Sequence, residues 1–202
     1  MRFTRICFAL SLLALTCFAA AQNMDMPKMA PKKTGSSDAG YIAKALASAP
    51  KAIAKDASVA RFDKDGKMQT LRDGKNGYTC FVMMGNAMCA DANSIAFFDA
   101  MMHKQTPPDK MGLTYMLSGD NGASNTDPTA DKKTADNHWV VTGPHVMIVG
   151  PGAKSLGLSE TADADPNKPY MMWAGTPYEH AMIPVAAAKP AAATKPVAAA
   201  KQ

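Results

Sequence analysis

The chain has 202 residues, with 22 Lys and Arg against 17 Asp and Glu, a net charge of +5. Five basic residues lie near the two ends, where there are no acidic residues: Arg2, Arg5, Lys189, Lys195 and Lys201. The segment 22–185 therefore carries 17 residues of each sign and no net charge. A folded segment without a basic field is not expected to bind nucleic acid.

The first 21 residues predict an export signal. Arg2 and Arg5 precede an apolar run over 6–18 and three small residues at 19–21. This order is typical of a signal peptide, with cleavage near Ala21/Gln22. The apolar run is too short to remain as a membrane anchor, so we expect no transmembrane segment. The mature protein is expected to be periplasmic or secreted.

Two further segments have compositions that do not favour folding. Residues 22–37 place three methionines among prolines and lysines, and we expect a flexible arm. Residues 186–202 contain only Ala, Lys, Pro, Val, Thr and Gln, which predicts a disordered tail. The tail lysines are either part of a solvated linker or contacts to an anionic cell surface. Residues 38–185 remain as one domain.

The elements of this domain predict an α+β fold. An alanine-rich helix is expected to begin at Ser37 or Asp38, and a second to be capped by Asp91 or Asn93 and to end before Pro107. Six or seven β-type runs follow or separate these helices. Helices early and strands late favour an antiparallel or mixed sheet of about six strands, with the two helices packed on one face.

Cys80 and Cys89 are the only cysteines left after signal cleavage. In an oxidising compartment, such a pair usually forms a disulfide. A redox-active pair normally has two intervening residues, whereas this pair has eight, so we expect a structural bridge.

A long polar stretch over 118–137 is expected to be a loop. Asp120, Asn125 and Asp127 offer oxygen ligands, and loops of this length are often functional. The same residue types are also usual in turns. A binding loop and plain turn chemistry therefore both remain open.

Two β-type runs each hold a histidine and a methionine two residues apart: His145 with Met147, and His180 with Met182. Residues i and i+2 of a strand share one face of the sheet. If the two strands are neighbours, two imidazoles and two thioethers converge. Met171 and Met172 are possible additional ligands.

The chemistry of these side chains favours a soft metal. Thioethers suit Cu(I) and Ag(I), and imidazole suits copper. The sharpest hypothesis is therefore periplasmic copper or silver binding. A purely structural role competes with it, because methionine also fills cores. Two further interpretations compete with metal binding. One is a module that binds a small ligand or the cell surface, and the other is an enzyme that pairs a histidine with Glu179, Asp127 or Asp120. The sequence holds no serine elbow, phosphate loop or zinc-protease motif, which makes an enzyme the less favoured interpretation.

Three stretches, 123–128, 143–148 and 175–185, resemble a family of small secreted bacterial proteins of unassigned activity. The motifs GPHVMI and GTPYEHxMIPV carry the similarity, which spans about 42–185 and excludes the tail. The resemblance implies a secreted single domain and no particular mechanism, ligand or oligomeric state.

Overall fold

An eight-stranded mixed sheet forms the centre of the structure, a computed structural model that describes residues 36–63 and 66–186. The predicted signal peptide, most of the arm and nearly all of the tail lie outside the described residues. The helices are α1 (Ser36–Leu46), α2 (Lys51–Ala54) and α3 (Ala92–Met102), with a 3-10 helix at Pro151–Leu156. The strands are β1 (Ser58–Phe62), β2 (Met68–Arg72), β3 (Tyr78–Met83), β4 (Asn86–Asp91), β5 (Gly112–Met116), β6 (Ala123–Ser124), β7 (Trp139–Val140), β8 (His145–Val149), β9 (Tyr170–Met172) and β10 (His180–Pro184).

The strand order in the main sheet is β2-β1-β3-β4-β5-β8-β10-β9, and β6 pairs separately with β7. Within the main sheet β1 and β3 are parallel, while the other neighbours are antiparallel. The prediction of one domain with a mixed sheet and few helices is confirmed. The number of strands was wrong, because β4 looks like a loop in sequence. It has no β-branched or aromatic residue, and its extended form depends on its pairing with β3 and β5.

The helices do not share one face of the sheet, so that prediction is also wrong. Helix α1 packs in the cluster that contains Cys80 and Cys89, whereas α3 packs in the cluster that contains Phe81 and Met88. Successive side chains of a strand point to opposite faces. Both faces of β3 and β4 are apolar and buried, so each face needs its own helix.

The predicted disulfide between Cys80 and Cys89 is confirmed. The two cysteines are direct partners in the antiparallel register of β3 and β4, and both are fully buried. The bridge lies on the α1 face of the sheet. The α3 face is therefore free of it.

Asp91 links the end of β4 to the start of α3. Its Oδ1 accepts the backbone N–H of Ser94 at 2.8 Å, which caps the helix as predicted, and its Oδ2 accepts that of Leu113 at 2.9 Å. This cap sets Phe97 and Phe98 against the sheet, where both are buried. Among the described helices, none is long and apolar enough to cross a membrane.

Candidate functional site

Strands β8 and β10 are antiparallel neighbours, and their register brings the two His-x-Met runs onto one face. The facing pairs are His145 with Pro184, Met147 with Met182, and Val149 with His180. The two histidines thus lie at opposite ends of the strand pair. The two methionines lie directly opposite each other between them.

The outer neighbours of β8 and β10 add one methionine beside each histidine. Met116 on β5 is opposite His145, and Met172 on β9 is opposite His180. Directly opposite residues of an antiparallel pair have their Cβ atoms about 4.5–5.5 Å apart. Each imidazole therefore has a thioether across the strand as well as the Met147–Met182 pair between the histidines.

This sheet face forms the floor of a cavity of about 350 Å³ that both histidines line. Eight methionines line the same cavity, which is half of the 16 in the chain. They come from six strands, α3 and the β3–β4 turn: Met83, Met84, Met88, Met101, Met116, Met147, Met172 and Met182. Five of them are members of the buried hydrophobic core and two more pack against it, so these side chains fill the core as well as line the cavity.

The mouth of the cavity lies between the β3–β4 turn and the polar loop. The backbone N–H of Asn121 donates to Asn86 Oδ1 at 2.9 Å and holds the two together. Asp120, Asp127 and Asp131 line the cavity, and among its described lining residues there is no lysine or arginine. The charges at this site therefore favour a cation over an anion.

Both histidines are held by the same local hydrogen bond. Nδ1 of His145 donates to the carbonyl of Gly143 at 2.7 Å, and Nδ1 of His180 donates to the carbonyl of Tyr178 at 3.0 Å. A carbonyl only accepts, so the proton of each neutral ring is on Nδ1 and the lone pair is on Nε2. Nε2 of His145 is buried and has no hydrogen-bond partner among the described residues.

Burial keeps both rings neutral. His145 is 0% and His180 is 1% exposed. Desolvation lowers the pKa of His145, and it lowers the pKa of His180 to about 4, with the charge of His145 contributing to the latter shift. At neutral pH the site thus presents two uncharged imidazoles, the form that binds metal ions.

Aromatic rings close the cavity around His180. The Trp173 ring lies 4.9 Å from the His180 ring and the Phe97 ring 6.0 Å from it, both edge to face. Trp173 is fixed by its indole N–H, which donates to the carbonyl of Ser124 at 2.8 Å. These rings exclude water, and the face of a tryptophan also attracts cations.

The predicted loop residues divide between two roles. Asp120 lines the cavity; its Oδ1 accepts the backbone N–H of Gly122 and of Thr142, and burial raises its pKa. Asp127 lines the mouth. Asn125 does not line the cavity, because its Nδ2 donates to two backbone carbonyls of the 159–163 segment.

The two possible additional ligands also separate. Met172 lines the cavity, whereas Met171 points to the other side of the sheet and packs with Ala153 and Ala181. Sequence reasoning missed Trp173, Met88, Met101 and Met116. Alternation along β5 from Thr114 predicts the face of the strand on which Met116 lies. The other three residues are brought to the cavity by tertiary packing, which the sequence pattern does not show.

Among the described residues, the carboxylates that pair with histidines are at His138 and His103 and not at the two cavity histidines: Asp163 lies 2.8 Å from His138, and Asp99 lies 3.4 Å from His103. Neither His145 nor His180 has a carboxylate of the described residues within ion-pair distance. Glu179 instead accepts the backbone N–H of Gly175 at 2.9 Å and lies 3.5 Å from Lys154 Nζ. The described residues also contain no group of three or more His, Cys, Asp or Glu side chains able to hold a metal. A metal in this cavity would therefore need methionine ligands.

No family model, curated protein or solved structure matches this chain. The resemblance to small secreted proteins therefore stays a prediction.

Proposed function

We propose that this protein binds one Cu(I) or Ag(I) ion in the methionine-lined cavity. The ligands are the sulfur atoms of Met147 and Met182 and Nε2 of one of the two histidines, because His145 and His180 lie four residues apart in register, about 13 Å along the strands. One observation carries the proposal: two buried neutral histidines, each held through Nδ1 by a carbonyl, line a cavity together with half of the methionines in the chain. Metal-binding histidines usually have this support on the second ring nitrogen.

The ligand set selects the kind of metal. Thioethers are soft and bind Cu(I) or Ag(I), whereas Ca²⁺ and Mg²⁺ require several oxygen ligands and structural Zn²⁺ sites use Cys and His. An imidazole with thioethers matches the soft ions. Met116 and Met172, opposite the histidines, are further thioethers within the same cavity. The aspartates at the mouth support entry of a cation.

The cellular setting belongs to the proposal. A cleaved signal peptide would deliver the protein to the periplasm or the exterior, and the Cys80–Cys89 bridge is of the kind that persists in oxidising compartments. We infer that the protein buffers or carries the ion there.

Titration of the mature protein, residues 22–202, tests the proposal. Both tryptophans of the chain line the cavity, so intrinsic fluorescence reports on this site directly. We expect Ag(I), or Cu(I) kept reduced by ascorbate, to change the fluorescence with a stoichiometry near one ion per chain. In competition with a Cu(I) chelator, one of the two variants His145→Ala and His180→Ala should weaken binding by about 100-fold or more, because it removes the ligand imidazole.

His103→Ala is the matched control. His103 is exposed at the end of α3, binds its own helix through Asp99 and does not line the cavity. Its loss should leave affinity and stoichiometry unchanged. Parent-like binding by both the His145 and the His180 variants, with their folds intact, would show that the ligands are assigned wrongly.

A second candidate function is the binding of a small apolar molecule. The cavity volume and its mainly apolar lining with a few polar groups fit such a ligand. An apolar fluorescent probe separates the two functions. Under the metal proposal one equivalent of Ag(I) displaces the probe, and the variant that lacks the ligand histidine loses this displacement. Under the alternative, the variants bind the probe like the parent and Ag(I) does not compete.

A further inference from the structure

We propose that Met84 is the entry ligand of the cavity: its thioether receives the soft ion at the mouth and passes it inward along a row of methionines. This inference rests on the proposed function. It adds a residue outside the predicted ligand set and a route by which the ion reaches the buried histidines.

Met84 occupies a backbone position that disfavours methionine. Met84 and Gly85 form the two-residue turn between β3 and β4, with φ of 50° and 82°. Two consecutive left-handed residues define a turn in which Asn-Gly is preferred. A side chain with a Cβ atom is strained in this region, and strain of this kind concentrates at functional positions.

Packing does not account for methionine at this turn. Met84 is 74% exposed, so burial of its apolar surface stabilises the fold very little. The same side chain nevertheless lines the cavity. A thioether that is open to solvent on one side and to a thioether-lined cavity on the other is placed to meet an incoming soft ion.

The turn is anchored, which keeps Met84 at the mouth. Asn86 Oδ1 accepts the backbone N–H of Asn121 at 2.9 Å, and Lys44 Nζ donates to the carbonyl of Gly85 at 3.1 Å. Asp127 and Asp131 line the same cavity from the polar loop. These carboxylates are on the loop side of the cavity, whereas the Lys44 ammonium lies at the turn itself.

A row of ligands leads from the turn to the first histidine. Met83, Met88, Met116 and His145 lie on four successive strands of the sheet, β3, β4, β5 and β8, and all line the cavity. Met116 is directly opposite His145, and the pairing of Cys89 with Tyr115 brings Met88 next to Met116. Neighbouring strands are about 4.8 Å apart, so Met88, Met116 and His145 follow one another at the spacing of the strands, and Met83, which is opposite Asn86, is diagonal to Met88.

Passage along this row is ligand exchange. The bond from the ion to the next sulfur forms before the bond to the previous ligand breaks, and no electron or proton is transferred. The ion therefore does not have to regain a full hydration shell inside an apolar cavity, which would be costly. Removing the first sulfur should slow both entry and exit without changing the final ligands.

Stopped-flow fluorescence on the mature protein tests the inference, with Ag(I) or ascorbate-reduced Cu(I) for loading and a chelator for release. The variants are Met84→Leu, which keeps the size but loses the sulfur, and Met84→Asn, which also suits the left-handed turn. We expect both rate constants to fall about tenfold in each variant while Kd stays within about twofold. Met84→Asn should in addition raise the melting temperature.

Met102→Leu is the control, because Met102 is 49% exposed at the end of α3 but does not line the cavity. Its rates should match the parent. If the parent loads normally and both Met84 variants have unchanged rate constants, the role of Met84 is wrong. The proposed function would still stand. A raised Kd would also overturn the inference, because Met84 would then be a ligand of the final site. A parent that binds no ion would overturn the proposed function and the inference with it.

Discussion

At the residue scale, the unusual groups are the two histidines. Each ring is fixed by a carbonyl two residues earlier in the chain, which sets the tautomer and leaves Nε2 available. An unpaired buried acceptor such as Nε2 of His145 costs about 1–3 kcal/mol. A bound ion would offset this cost. It would also explain why the His145 ring is buried with no hydrogen-bond partner for Nε2.

The depressed pKa of His180 predicts how stability changes with pH. The pKa of His180 is about 4 in the folded state, against the ordinary histidine value of 6.5. Between these values the unfolded chain binds more protons, so the free energy of unfolding should fall as pH falls from about 6.5 to 4. The full loss for this group is on the order of 3 kcal/mol. Urea denaturation at several pH values across this window measures it.

His180→Gln isolates this contribution. Asp120 has a raised pKa and acts in the opposite direction at acid pH, but it is present in both proteins and cancels in the comparison. The pH slope of the variant should be smaller than that of the parent by up to one proton. Equal slopes in the two proteins would mean that His180 titrates normally and is not buried in a neutral form.

At the element scale, the sequence predicts alternation but not adjacency. The two-residue spacing placed His145 with Met147 and His180 with Met182 on common faces, as the strands show. The pairing of β8 with β10 depends on long-range packing, and local sequence patterns do not predict which strands pair. Strand β4 was missed for the same reason. The helices were wrongly placed on one face because the sequence pattern does not show that β3 and β4 have an apolar surface on each face.

The polar loop should be sensitive to Gly122. This residue has φ of +93°, and a Cβ there would lie within van der Waals radius of the Trp139 indole nitrogen. Gly122→Ala should therefore displace Trp139 from the cavity wall, shift the tryptophan emission and lower the free energy of unfolding by about 1–3 kcal/mol. Denaturant unfolding followed by fluorescence measures both effects.

Gly40→Ala is the control for this change. Gly40 lies in α1 with nothing within 4 Å of an added Cβ, so alanine should be neutral or slightly stabilising. If Gly122→Ala behaves like Gly40→Ala, the loop does not hold Trp139 against the cavity as described.

The disulfide should matter for stability and not for the site. Cys80 and Cys89 lie on the α1 face, opposite the cavity face. Replacing both by alanine should lower the free energy of unfolding by about 2–3 kcal/mol, because the short loop is no longer closed in the unfolded chain. Metal stoichiometry at low temperature should stay that of the parent. A folded double variant that has lost the ion would place the bridge in the site after all.

At the scale of the whole molecule, composition and spacing predicted one mixed-sheet domain with a bridge. Of the 22 residues that line the cavity, the sequence analysis named seven: Asp120, Asp127, His145, Met147, Met172, His180 and Met182. The remainder required the fold, since its eight methionines come from elements spread over Met83 to Met182. No local period in the sequence relates Met101 on a helix to Met172 on a distant strand. A high methionine count was the only signal, and it did not indicate where the methionines gather.

Heteronuclear NMR of the histidine side chains observes the ring nitrogens of His145 and His180 directly. In the ion-free protein, His145 and His180 should both carry their proton on Nδ1. On addition of one equivalent of Ag(I), the Nε2 resonance of at least one of these two rings should shift, while those of His103 and His138 stay in place. Shifts confined to His103 or His138, or unchanged Nε2 resonances in the cavity, would contradict the account.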